Sequence, residues 1–219
     1  MGLVETGLLI NYFIDLWGEI DVKKIVFCGF GKLGLKSLEA LISSGYKIEY
    51  IMTHKELEND SVDTYALQNN IKFTYKDARS CLDEICKIIE KILPLFLVSV
   101  NYRYVLPKRI FEIPLYAINI HGSLLPKYRG RTPHVWSIIN GEEISGITAH
   151  IIEETVDTGD IIEQIIVKIE KDDTGYTLLK KYQDLYPSLL IKSLKSLDEN
   201  KLLKKQNNDE ASYFGKRTP

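Results

Sequence analysis

Short β-rich runs alternate with segments of helical periodicity along most of this chain, and few folds accept that order. Lys24–Gly29 (KIVFCG), Lys47–Thr53 (KIEYIMT), Ile71–Tyr75, Leu95–Val100 (LFLVSV), Leu115–His121, Gly146–Glu153 and Asp160–Lys168 read as strands. Leu33–Ser43, Val62–Asn69, Ala78–Ile92, Arg131–Asn140 and Thr177–Leu197 read as helices. The punctuation agrees. Asp60/Ser61 and Asp173/Thr174 serve as N-caps, Gly45 and Gly141 as stops, and Pro94 ends the third helix. This order predicts an α/β fold: a doubly wound, mostly parallel sheet with mixed edge strands, in a single core domain. Leu95–Val100 is the most apolar strand and belongs at the centre. Ligands on such sheets sit beyond the carboxyl ends of the strands.

The core spans residues 23–197. Residues 1–22 form an N-terminal extension in which Gly7–Glu19 reads as a short amphipathic helix. Residues 198–219 form a polar connection and a short tail, with Glu199–Glu210 expected to be solvated. The apolar run Leu8–Ile14 lacks a basic flank and is followed by Asp15, Glu19 and Asp21, a poor secretory signal. No apolar run reaches the ~20 residues of a membrane span. Lys and Arg number 28 against 30 Asp and Glu, so a generic electrostatic grip on nucleic acid is not expected. Cys28, Cys81 and Cys86 are odd in number and lack metal-ligand spacing, which fits free thiols in a reducing cytoplasm. The histidines at 54, 121, 134 and 150 show no ligand spacing either, and no metal is implied.

Gly29-Phe-Gly31-Lys-Leu-Gly34 follows a strand and opens a helix, as a dinucleotide fingerprint would. That reading, a nicotinamide oxidoreductase, needs an acidic residue ending the second strand. The strand instead ends Met52-Thr53-His54-Lys55, with Glu49 inside it and Glu56 past it. The loop therefore reads as a tight β–α turn at the edge of a ligand cleft.

The segment that carries chemistry is Asn119-Ile-His121-Gly-Ser123-Leu-Leu-Pro126-Lys-Tyr-Arg129-Gly-Arg131-Thr-Pro133-His134. Asn119 and His121 stand at i and i+2 near a strand end, so both side chains face one side. Asp157, in the turn Asp157-Thr-Gly159-Asp160, is a candidate third member. An amide can hold an oxyanion, an imidazole can move a proton, and a carboxylate can orient the ring and support its charge. That set suits acyl transfer to an amine, with the imidazole taken as protonated when it meets the oxyanion. Ser123 raises a Ser/His/Asp hydrolase, but the nucleophile elbow GxSxG is missing.

Asn-x-His-x-Ser-Leu-Leu-Pro followed by Asp-Thr-Gly-Asp resembles the formyltransferase family, which uses N10-formyltetrahydrofolate as co-substrate. The resemblance runs from about Lys24 to Ile166. It implies a Rossmann-like sheet without a dinucleotide, and Asn119, His121 and Asp157 as the catalytic triad. Asn101–Pro107 resembles the family loop whose backbone edges the pterin pocket. By that resemblance Arg103 to Val105 offer amide and carbonyl groups, the turn from Glu154 to Asp160 closes the other side, and the Tyr102 and Tyr104 side chains either line the pocket or pack in the core.

Within the family, His121-Gly-Ser-Leu-Leu-Pro-Lys-Tyr-Arg-Gly-Arg-Thr-Pro-His-Val-Trp136 and Tyr213-Phe-Gly-Lys-Arg-Thr-Pro219 look like the sugar N-formyltransferases. That branch implies a nucleotide-linked amino sugar as acceptor, foremost dTDP-4-amino-4,6-dideoxyglucose, and a place in O-antigen or other lipopolysaccharide biosynthesis. Lys127, Arg129, Arg131 and Arg103 are the candidate pyrophosphate ligands, with His134 facing the sugar or capping a helix. Methionyl-tRNA formyltransferases carry a further C-terminal domain for which this chain has no room. Glycinamide ribonucleotide formyltransferases usually place Pro, not Gly122, after the catalytic His. Sugar-branch relatives continue past Lys-Arg-Thr-Pro into strands that often build a homodimer, so dimerisation stays open here. A non-catalytic module that only binds nucleotide sugar is the remaining rival.

Overall fold

A computed structural model describes residues 23–216. The expected helix over Gly7–Glu19 and the tail end Arg217–Pro219 lie outside the described residues. The strands are β1 (Lys24–Gly29), β2 (Lys47–Met52), β3 (Phe73–Thr74), β4 (Phe96–Val100), β5 (Tyr116–His121), β6 (Arg129–Gly130), β7 (Ile144–Ile151), β8 (Ile161–Lys168) and β9 (Tyr213–Phe214). The helices are α1 (Gly31–Ser43), α2 (Val62–Gln68), α3 (Leu82–Ile92), α4 (Lys108–Phe111), α5 (Pro133–Ile139) and α6 (Gly175–Asp198).

Seven strands form one sheet in the order β3-β2-β1-β4-β5-β7-β8. β3 through β5 run parallel, and β7 and β8 complete the sheet as antiparallel strands. This is the doubly wound sheet with a mixed edge that the alternation predicts. β4 sits between β1 and β5 with all five residues buried, as its apolar run requires.

The period-two alternation divides the core. Ile25 and Phe27 of β1, Phe96 and Val98 of β4, and Ile118 and Ile120 of β5 pack under α1 and α6. Val26, Cys28, Leu97 and Ala117 face the other way, toward Ile85 and Ile89 of α3 and Ile110 of α4. The long helix α6 opens on a capping box in which Thr174 and Thr177 satisfy each other's backbone amides. All three cysteines are free thiols.

Two expectations shift. The helix expected over Ala78–Ile92 starts only at Leu82, because Asp77 builds a turn first: its carbonyl accepts from the Ser80 amide at 3.0 Å and its carboxylate from the Arg79 amide at 3.0 Å. The tail also does more than connect. It returns along the molecule, and β9 pairs in parallel with β6. Phe214 lies between Tyr128 and Trp136, with ring centroids 5.0 Å from each. Glu199–Glu210 is mostly exposed, yet the Lys204 amide donates to the Ile161 carbonyl at 2.9 Å and ties this stretch to the start of β8.

Phe96 is fully buried, stacked on Tyr116 at 5.8 Å and edge-on to Tyr46 at 6.3 Å. Phe96→Ala is expected to cost ~3–5 kcal/mol. In urea unfolding the midpoint falls while the slope stays constant.

Candidate active site

Asn119 and His121 lie at the carboxyl end of β5 on the face shared with Ala117, opposite Ile118 and Ile120. The antiparallel neighbour decides what meets them. β7 pairs with β5 so that Asn119 stands across from His150 and His121 across from Thr148. The Asn119 Nδ2 lies 3.2 Å from His150 Nε2, and His150 Nδ1 lies 2.8 Å from the Ile151 carbonyl. The carbonyl takes Nδ1–H as its donor, and with Nδ2 of Asn119 turned to the ring, Nε2 accepts from that amide.

The chain then leaves β7 and turns through residues 152–160 before β8. Asp157 stands in that turn in the left-handed region, at φ +58°. Such a conformation is disfavoured for residues with a Cβ but comparatively accessible to Asp. One carboxylate oxygen accepts the Gly130 amide at 2.8 Å and lies 3.5 Å from His121 Nδ1. The other lies 3.5 Å from His150 Nε2. The expected trio therefore meets, and His150 joins it. Spacing in the sequence gave no sign of His150, because its role follows from strand register.

His121 is buried, and its Nε2 lies 2.7 Å from the Tyr128 carbonyl, so that nitrogen carries a donating proton. Nδ1, facing Asp157, is the nitrogen free to exchange one. Burial pushes the His121 pKa down, opposed by the Asp157 charge and the Tyr128 carbonyl. With its pKa lowered, the ring is neutral at pH 7 before any substrate is present. Burial by itself would raise the Asp157 pKa. The neighbouring histidines and the Gly130 amide outweigh it and hold the carboxyl below the usual range.

Gly122 follows His121 where any side chain would press on the Tyr186 hydroxyl at 3.2 Å and on Pro133 and Tyr182 at 3.4 Å. Ser123 is no nucleophile in this arrangement: its hydroxyl donates to the Lys127 carbonyl at 2.6 Å.

The remaining candidates separate into groups. Arg129 is almost wholly buried. Its guanidinium donates to Gln206 Oε1 at 3.1 and 2.7 Å and to Asn208 Oδ1 at 2.9 Å, so it is committed to the protein's own tail and not presented to a pyrophosphate. Lys127 and Arg131 are exposed, and neither forms a salt bridge among the described residues. Arg103 is exposed too, its guanidinium 3.8 Å above the Phe30 ring. The Arg103 amide is already used, donating to His54 Nε2 at 3.1 Å. Tyr102 and Tyr104 pack around the same imidazole, with centroids 5.0 and 4.6 Å away. Val105 is exposed beside them. His134, at the start of α5, is edge-on to Tyr182.

A groove of about 490 Å³ opens on the Ala117 face of the sheet, lined among others by Lys108, Phe111, Ala117, Ile152 and Glu154. Glu154 reaches within 3.6 Å of Lys108 at its rim. Asp160 lies outside this lining and closes the turn through its carbonyl, which accepts the Ile151 amide at 3.0 Å. At the glycine loop, the Gly31 amide donates to Glu56 at 3.1 Å, so the opening of α1 holds the protein's own carboxylate.

A sequence model of the formyl transferase family matches residues 26–194. The chain belongs to the formyl transferase family. Within it, the methionyl-tRNA formyltransferase of Caldanaerobacter subterraneus subsp. tengcongensis is 34% identical over 200 residues, covering 87% of this chain and 65% of that one. The chain thus spans slightly less than two thirds of that relative's length. Among solved family structures, an N-formyltransferase from Helicobacter canadensis, complexed with folinic acid and dTDP-3-aminofucose, superposes with a TM-score of 0.72 at 26% identity, over 88% of this chain and 71% of its own. A sugar 3-N-formyltransferase solved with dTDP and 5-N-formyl-tetrahydrofolate gives a TM-score of 0.71 at 26% identity, over 88% and 69%. No helix among the described residues is long and apolar enough to cross a membrane.

The buried histidines give folding a pH signature. His134 titrates near 6.5 when unfolded, but burial and then the nearby His121 hold it at about 4 in the folded protein. Between those values the unfolded chain binds a proton the folded one refuses, so stability falls as pH drops from 6.5 to 4. The lowered His121 pKa acts in the same direction. His134→Gln is expected to remove about 2–3 kcal/mol of this loss, read as a flatter slope of urea-unfolding stability against pH.

Proposed function

We propose that this chain transfers the formyl group of N10-formyltetrahydrofolate to the amine of a nucleotide-linked amino sugar. The observation that carries the reading is the meeting of Asn119, His121 and Asp157 at the carboxyl end of β5. The segment around exposed Val105 and the turn from Glu154 to Asp160 are the candidate edges of the pterin pocket. The bound folate would supply the formyl carbon.

In this reading the acceptor amine attacks that carbon. A C–N bond to the sugar forms, the bond to N10 breaks, and one proton passes from the amine to N10. Asn119 Nδ2–H, aimed across the strand end, is the donor for the oxyanion. His121 takes the amine proton on Nδ1 and returns it to N10, while Asp157 and the Tyr128 carbonyl stabilise the transient imidazolium. Lys127, Arg131 and Arg103 are the cations available to a pyrophosphate, and His134 lies behind His121.

The dTDP and dTDP-3-aminofucose of the solved relatives support a sugar acceptor, with dTDP-4-amino-4,6-dideoxyglucose or its 3-amino isomer in front. Such an enzyme belongs in the cytoplasm, serving lipopolysaccharide O-antigen synthesis, alone or as a homodimer. Methionyl-tRNA is the second reading, favoured by the 34% identity to a methionyl-tRNA formyltransferase.

Mass spectrometry tests both. The chain is incubated with N10-formyltetrahydrofolate and dTDP-4-amino- or dTDP-3-amino-dideoxyhexose, GDP-perosamine, UDP-4-amino-arabinose, glycinamide ribonucleotide or methionyl-tRNA. One sugar is expected to gain a formyl group. Formylation of the tRNA alone overturns the sugar reading and keeps the reacting groups. On the accepted substrate, His121→Ala is expected to abolish turnover with the circular dichroism spectrum unchanged. Asn119→Ala is expected to lower kcat by roughly 10²–10³ with little change in KM. A loss confined to KM removes the oxyanion role from Asn119.

A further inference from the structure

Gln206 comes from the polar stretch after α6, 49 residues beyond Asp157, and every hydrogen-bonding position of its carboxamide is filled. Its Nε2 donates to the Asp157 carbonyl at 2.9 Å and to the Gly159 carbonyl at 2.7 Å. Its Oε1 accepts from Arg129 Nε at 3.1 Å and Nη2 at 2.7 Å. The two ends cannot be exchanged: carbonyls demand N–H and a guanidinium demands oxygen, so the amide has one orientation.

These contacts close a ring. Gln206 grips the backbone of Asp157, the Asp157 carboxylate accepts the Gly130 amide at 2.8 Å, and Gly130 follows Arg129, which Gln206 also grips. Within the turn the Thr158 hydroxyl donates to the Thr155 carbonyl at 3.0 Å, and at its end the Asp160 carbonyl accepts the Ile151 amide at 3.0 Å. Its far end is pressed onto β7, where a Cβ on Gly159 would lie 2.0 Å from the Ile151 carbonyl oxygen. Its middle holds Asp157 at φ +58°, a conformation that a turn must be held in. The carboxylate stands 3.5 Å from both His121 and His150, where a small displacement alters the field at the His121 ring.

We propose that Gln206 is a positioning residue: its carboxamide ties the Asp157 turn to the Arg129 loop and thereby sets the Asp157–His121 distance. The inference rests on the reading of Asp157 and His121 as reacting partners. It assigns to a tail residue a part in the chemistry of β5, without contact to either substrate.

Two variants separate positioning from general bracing. Gln206→Glu keeps an acceptor for Arg129, and so keeps the tail docked, but loses both N–H donors to the turn. Gln206→Met is neutral, of similar reach, and loses all four bonds. Asn208→Ala removes only the second contact to Arg129 and serves as the control for tail docking.

With the acceptor identified above, Gln206→Glu is expected to lose kcat by roughly tenfold or more, with KM for both substrates within about twofold, since misplacing a catalytic group by about 1 Å costs that order. Asn208→Ala is expected to keep the wild-type kcat. The second readout needs no activity: NMR titration of the His121 ring in the free protein. Asp157 at the turn, His150 on β7 and His134 on α5 all face or influence that ring, and Gln206 holds only the first. The His121 midpoint is therefore expected to move down in Gln206→Met, as the carboxylate that favours its protonation drifts away, and to stay in place in Asn208→Ala.

Wild-type kcat in Gln206→Glu, or an unmoved His121 midpoint in Gln206→Met, overturns the inference while an inactive His121→Ala still upholds the reading of the site. Full turnover by His121→Ala removes that reading, and the inference with it.

Discussion

The antiparallel pairing of β7 with β5 is the contact on which the site depends. Parallel strands alone would bring Asn119 and His121 to a cleft and leave them there. Because β7 runs the other way, it lays His150 against Asn119 and exits toward the start of β5, and the connection to β8, which begins beside His150, carries Asp157 to within 3.5 Å of His121. A slip of one residue in this register would send the whole inward set to the opposite face. The apolar alternation of Ile118 and Ile120 against Ala117, Asn119 and His121 makes such a slip costly.

The electrostatics follow from the same geometry. His121 and Asp157 are brought together out of water, with the ring's pKa lowered by burial and the carboxyl's held below the usual range. The carboxylate accepts the Gly130 amide, and the Asp157 pKa is held below the usual range. A neutral His121 flanked by an anion is prepared to receive a proton. Burial disfavours the charged ring and the anion favours it, and burial is the larger effect.

Much of this was legible in the residues because it depends on local rules. Strand periodicity placed β4 at the centre and set Asn119 and His121 on one face. The turn residues around Gly159 marked the Asp157 connection. What was not legible depends on distant pairs. His150 looked isolated because its partner lies 31 residues away across a register no spacing records. Arg129 looked like a phosphate ligand because its partner Gln206 is 77 residues away in a stretch whose polarity suggested solvent. Polarity cannot distinguish side chains that face water from side chains that satisfy buried carbonyls and a guanidinium. The start of α3 was placed too early for a more local reason: Asp77 competes with the helix for its own first amides.

The parallel pairing of β6 with β9 has a consequence for how the molecule comes into being. During synthesis from the amino end, β1 to β8 can collapse and bury their apolar faces before residues 206–214 emerge. The loop carrying Tyr128 and Arg129 cannot settle then. Its pairing strand, the ring that fills the gap between Tyr128 and Trp136, and the carboxamide that holds the opposite turn all lie between residues 206 and 214. A nascent chain that has passed α6 therefore owns a sheet and a core but an unassembled cleft. The closing of the Asp157 turn onto the Arg129 loop arrives as a separate, late event, set by translation of a short polar segment.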